Sequence, residues 1–179
     1  MRNSDIAAQA DRILTKAKVS APPVPVLAIA KSFGILVRFG PLPDDLSGFL
    51  VHEEGRTIIG VNSRQVKPRQ AFTLAHELGH FVLHPSVNFV DHKLIYFRDS
   101  RSRDAIDIRE MQANEFAADL LMPERFISPY LADRTVDLED DEFLANLAKK
   151  FGVSSQALTF RLLNLNLANR RQAPRRQAA

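Results

Sequence analysis

Apolar residues recur every three or four positions from residue 3 to 19, where Ile6, Ala7, Ala10, Ile13, Leu14 and Ala17 form one stripe. That period predicts an amphipathic helix, which Ala21-Pro22-Pro23-Val24-Pro25 breaks. A short second helix over about 24–32 should end at Gly34. The pattern then shortens. Ile35–Phe39, Ser47–His52 and Arg56–Asn62 read as strands, with Gly40–Asp45 as a loop and Glu53-Glu54-Gly55 as a turn. Pro68 opens a long helix that His84-Pro85 ends. Residues 85–104 show no strong period despite the apolar run Leu94–Phe97, and read as a long mobile loop with room for one short strand. Asp104 is a candidate N-cap for a helix reaching about Met122, and another helix follows Pro123. Asp140–Phe151 and Ser154–Leu165 form a final helical pair around Gly152-Val153.

These elements predict an α+β fold. A small antiparallel sheet of about three strands packs on the helix over 68–84 and on the helix over 104–122, and the C-terminal part has helix-turn-helix spacing. The expected division is a main domain over 1–135, a helical extension packed on it over 136–168, and a basic disordered tail over 169–179. A chain of 179 residues with 45% hydrophobic content can bury a sizeable core. It has no apolar run long enough to span a bilayer and no signal-peptide core at its N-terminus. It has no cysteine, which removes disulfides, thiolate metal sites and thiol catalysis. Together these features lead us to expect a cytoplasmic protein with no membrane partner. The net charge of +3 is uneven: residues 143–179 hold seven bases and no acid. That basic end could touch DNA or an acidic partner, or simply remain solvated.

The long helix contains His76-Glu77-Leu78-Gly79-His80. Two histidines four apart lie one turn apart on one helical face, so both rings can reach one metal ion. Glu77 is rotated by about 100° from His76. It can sit beside the metal without binding it, where it can deprotonate a water that the metal activates. The flanks Ala71–Ala75 and Phe81–Val82-Leu83 are apolar on most faces, so the helix should be largely buried and its polar residues need partners. Gly79 costs about 1 kcal/mol in a helix interior, which makes sense if another element or a substrate approaches closely.

A catalytic zinc takes three protein ligands and keeps one position open. A histidine at position 86 would complete one such pattern, but Ser86 stands there. The helix over 104–122 offers Glu110 and Glu115. Helical phase favours Glu110, which shares a small, apolar face with Ala113, Asn114, Ala117 and Leu121. Glu115, with Asp119 four residues on, is the alternative. Asn114, one turn beyond Glu110, could accept a hydrogen bond from a metal-binding histidine. His84 continues the 76, 80 series and is either a neighbour of the site or a histidine facing the helix C-terminus. His92 and Tyr96 could fold over the metal and stabilise an oxyanion, or be ordinary loop residues. His52, beside two glutamates, reads as solvated. Zinc is the expected cofactor, one per chain, though manganese or iron also suits a His-His-Glu site.

The blocks Ala75–His84 and Glu110–Pro123 together resemble the ImmA/IrrE family of zinc metallopeptidases. The second block looks like that family's E-x-x-A-N/D-x-F-A signature running into L-L-M-P. The resemblance implies a gluzincin-like fold with His76, His80 and Glu110 as ligands and Glu77 as the catalytic base. It also implies a protein substrate, an HTH-type transcriptional repressor cut to relieve repression. A regulator that binds DNA or a repressor, and a toxin–antitoxin or phage effector, are the rival readings. In the last helix, Ser155, Gln156, Thr159 and Arg161 form the face available to a DNA groove, and it is poor in bases. A substrate strand is expected to add to an edge strand near Ser47–Val51.

Overall fold

A computed structural model describes residues 2–85, 89–92, 106–131 and 137–165. Helix α1 (Asn3–Lys16) stops three residues earlier than the sequence stripe. Lys18 takes a positive φ of 55°, and Val19 N–H reaches back to the Leu14 carbonyl at 2.9 Å. The chain thus leaves the helix through a left-handed residue. Helix α2 (Val26–Ser32) ends the same way at Gly34, where φ is 76°. Three strands follow: β1 (Leu36–Gly40), β2 (Leu46–Glu53) and β3 (Arg56–Asn62). Glu54 and Gly55 both have positive φ, the twist a tight hairpin between β2 and β3 requires.

The fold is α+β, and its sheet differs from the expected one in two respects. A fourth strand, β4 (Phe89–His92), extends it, giving the order β1-β3-β2-β4. The β2–β3 and β2–β4 pairs are antiparallel, whereas β1 pairs with β3 in parallel, Leu36 opposite Ile58 and Gly40 opposite Asn62. The short loop after β1 causes this. It crosses the end of β3 instead of turning back on β1, and Asn62 holds it there. The buried Asn62 amide donates to the Pro43 and Leu46 carbonyls at 3.2 and 2.9 Å, and its oxygen accepts from Leu42 N–H at 3.3 Å. With β2 paired on both sides, the stretch Ser47–Val51 is not an edge. The expected strand addition there is corrected by the β4 pairing.

Helix α3 (Lys67–Leu83) lies across β2 and β3 and is buried on nearly every side. Helix α4 (Ile106–Leu121) packs against both α3 and α1. Helices α5 (Glu124–Leu131), α6 (Asp141–Phe151) and α7 (Ser155–Asn164) are the remaining elements among the described residues. Asp140 and Ser154 cap α6 and α7 by accepting from Phe143 N–H and Ala157 N–H. Buried residues of α6 and α7, such as Leu147, Phe151 and Leu158, belong to one apolar cluster with Leu14, Leu50, Leu78 and Phe116. The tail over 169–179, Asp104 and Tyr96 lie outside the described residues.

Candidate metal centre

Gly79 lets α4 come close to α3. A Cβ built on it would lie 3.2 Å from both the Cα and the carbonyl oxygen of Ala113, and 3.0 Å from the Phe116 ring. The close approach anticipated for this glycine is therefore made by a helix. It brings the N-terminal half of α4 over His76 and His80. His76 Nε2 stands 3.1 Å from Glu110 Oε2, His80 Nε2 stands 3.3 Å from Glu110 Oε1, and the two Nε2 atoms are 3.0 Å apart. All three residues offer a ligand atom within 4.8 Å of one another.

His76, Glu77 and His80 are fully buried, while the Glu110 side chain keeps 31% exposure and opens the cluster to one side. His76 Nδ1 donates to Asn114 Oδ1 at 3.0 Å, which turns Nε2 toward Glu110. Burial lowers the His80 pKa to about 4. Burial also works to raise the Glu110 carboxyl, but hydrogen bonds from His76 and His80 outweigh it and hold the group at about 2. Those hydrogen bonds call for protons that a neutral His80 and a His76 donating through Nδ1 cannot both supply. His76 Nε2, His80 Nε2 and the two Glu110 oxygens thus converge with too few protons between them, an arrangement that a positive ion satisfies. Two imidazoles and one carboxylate suit a divalent ion of zinc's type.

Glu77 lies on a different face of α3, toward β2. A Cβ built on Gly48 would meet Glu77 Oε1 at 3.2 Å, Thr73 Cγ2 at 2.5 Å and the Gly60 carbonyl at 2.8 Å. Only a glycine lets β2 lie this close to α3. Sequence reasoning missed Gly48 as a site residue, although a glycine inside an apolar strand signals close backbone approach.

Not every candidate joins the cluster. Glu115 points away from it, toward Arg161, whose Nη1 is 3.8 Å from Glu115 Oε1. Asp119 is also on that side, with Oδ1 2.6 Å from Arg161 Nη2. The His84 ring centre lies 5.9 Å from that of His80, and its pKa is lowered by burial. His52, expected to be solvated, pairs its Nδ1 with Thr57 Oγ1 at 3.1 Å. His92 ends β4, where only the backbone is described. Arg161, expected on a groove-facing surface, is buried and turned inward.

Comparisons with known proteins place the chain in a family. Residues 30–163 match the family model for the IrrE N-terminal-like domain, peptidase M78. The chain belongs to the IrrE N-terminal-like family. The matched residues include both blocks, Ala75–His84 and Glu110–Pro123, from which the cluster is built. An IrrE-like chain is also 31% identical over 125 residues to an uncharacterized immunity region protein 2 of Bacillus phage phi105, covering 70% of this chain and 73% of that one. A Mycobacterium tuberculosis transcriptional regulator shares the fold, with a TM-score of 0.59 and 21% identity. That match covers 98% of this chain but 49% of the regulator, so this chain spans about half of its length. Among the described residues, no helix is long and apolar enough to cross a membrane.

Proposed function

We propose that this chain is a zinc-dependent endopeptidase that cuts a regulatory protein, such as an HTH-type transcriptional repressor, to relieve repression. The convergence of His76, His80 and Glu110 beside a buried Glu77 carries the reading. These three residues would hold the ion, and Glu77 is the catalytic base. The phage relative's immunity-region name supports a regulatory protein as the substrate.

A bound zinc ion supplies Lewis acidity, making a water more acidic and a scissile carbonyl more electrophilic. Glu77 takes the proton of the attacking water and later delivers it to the leaving amine nitrogen. The low-dielectric surroundings of Glu77 strengthen its hydrogen bond to that water. Asn114 keeps the His76 ring turned so that Nε2, not Nδ1, faces the cluster. A peptide would reach these residues from the side on which Glu110 is partly exposed.

The test is to incubate the zinc-loaded protein with candidate HTH-type repressors from the same genome and analyse the products by mass spectrometry. One defined cut, lost on adding a chelator, is expected. An intact repressor, together with sequence-specific DNA binding by this chain that needs no metal, would replace the peptidase with a regulator. The burial of Arg161 weighs against that alternative, because it removes a base from the surface of α7.

A further inference from the structure

Arg161 takes no part in the chemistry above, yet it is among the few buried charges of the described residues, with 4% exposure. It reaches from α7 to the far end of α4. Its Nε donates to the Met122 carbonyl at 2.9 Å, its Nη2 to Asp119 Oδ1 at 2.6 Å, and its Nη1 stands 3.8 Å from Glu115 Oε1. Met122 follows the last residue of α4, so the guanidinium also satisfies a carbonyl at the helix C-terminus, where positive charge is favoured.

Helical phase gives these contacts a consequence for the metal cluster. At about 100° per residue, Glu115, Asp119 and Met122 lie on the side of α4 opposite Glu110, Ala113 and Asn114. One side of the helix meets α3 and supplies Glu110 and Asn114; Arg161 grips the other side near its C-terminal end, and α1 also packs on the helix. A cavity of about 510 Å³ borders Arg161 and Asp119 between α1, α5 and α7. Arg161 lines this space, while its guanidinium stays buried against Met122, Asp119 and Glu115. Burial raises the Asp119 pKa to about 6 even against the nearby guanidinium, so removing Arg161 would leave two acids without their cation.

We infer that Arg161 is a positioning residue for the metal cluster, setting the rotation of α4 and hence where Glu110 meets His76 and His80. The inference rests on reading those three residues as metal donors. Glu110 and Asn114 share one face of α4, so a turn of that helix shifts the Glu110 oxygens and the Asn114 acceptor relative to His76 and His80 together.

The test uses the full chain stripped of metal and titrated with cobalt(II), whose visible spectrum reports ligand geometry, followed by zinc competition. Arg161→Lys keeps the charge but loses the planar fork, and Asp119→Leu removes the grip from the α4 side. Both variants are expected to bind cobalt at least about tenfold more weakly, with an altered spectrum. Asp119→Asn, which still accepts from Arg161, is expected to retain wild-type affinity. Leu158→Ala, a cavity in the same helix, should lower the unfolding midpoint yet keep affinity within about twofold. Folded Arg161→Lys and Asp119→Leu proteins with wild-type affinity and spectrum would overturn the inference, as would an equal loss in Leu158→Ala. Failure of the wild type to bind cobalt would overturn the metal reading instead. The Arg161 contact is then judged by the His76 ring-nitrogen NMR shifts of the metal-free protein, which Arg161→Lys must change.

Discussion

Asn114 Oδ1 accepts a hydrogen bond from His76 Nδ1 at 3.0 Å, so the residue one turn beyond Glu110 decides which nitrogen of His76 faces Glu110. The contact joins α3 to α4 through a side chain that need not touch a metal itself.

Replacing Asn114 by Leu removes the acceptor and frees the ring to rotate. Metal affinity is expected to fall by about 10–100-fold, measured by zinc competition against a chromophoric chelator. Asn114→Asp keeps an acceptor at the same place and should bind nearly as well as wild type. Equal affinity in the Leu variant would remove Asn114 from the site.

The proposed function gives Glu77 and Glu110 different roles, so their variants should separate. Glu77→Gln is expected to keep zinc and lose cleavage by about 10²–10⁴-fold, whereas Glu110→Ala is expected to lose zinc. Metal content by elemental analysis and cleavage by gel assay test both. Cleavage at the wild-type rate in Glu77→Gln would show that the base lies elsewhere.

Gly79→Ala should destabilise the protein, although alanine gains about 1 kcal/mol as a helix former. The new methyl meets backbone atoms of Ala113 at 3.2 Å, and backbone cannot move aside as a side-chain tip can. Overpacking of this kind costs about 1–3 kcal/mol. Urea unfolding measures the difference, and a more stable variant would mean that the two helices can separate freely.

Acid should weaken the metal-free protein through the cluster. The folded His80 pKa is depressed to about 4 from 6.5, so the unfolded chain takes up the proton first, and stability falls as pH drops from about 6.5 to 4. Glu110, depressed from 4.5 to about 2, continues the loss below pH 4.5. Asp119 acts in the opposite direction, because its pKa is raised from 3.8 to about 6 and stability returns as it is protonated. Comparison with His80→Gln isolates the histidine. The stability gap between wild type and variant should shrink from pH 6.5 to 4, and a constant gap would contradict the depressed pKa.

Much of the candidate site was legible because its information is local. The spacing of His76 and His80 places two rings on one helical face whatever surrounds that helix, and the phase of Glu110 against Glu115 follows from helix geometry alone. The strands of the β2–β3 hairpin were legible for a similar reason, since alternation and a turn with Gly55 act over a few residues. The pairing of β1 was not. Its parallel register with β3 depends on Asn62 gripping the 41–45 loop, a set of hydrogen bonds across about twenty positions. Gly48 shows the same limit, because its need to be glycine comes from Thr73, Gly60 and Glu77, which only the packed sheet and helix bring to it.

By itself, then, the sequence determined most of the elements, though not β4, together with the donor types and the helical faces that carry them. Those properties arise from backbone periodicity and residue chemistry within a turn or two. The tertiary structure alone decided that the Glu110 face of α4 meets α3, that Gly79 permits the approach, and that Arg161 turns inward to hold the opposite side. Those outcomes depend on which surfaces exclude water together and on where buried charges find partners, and neither is a property of any single segment.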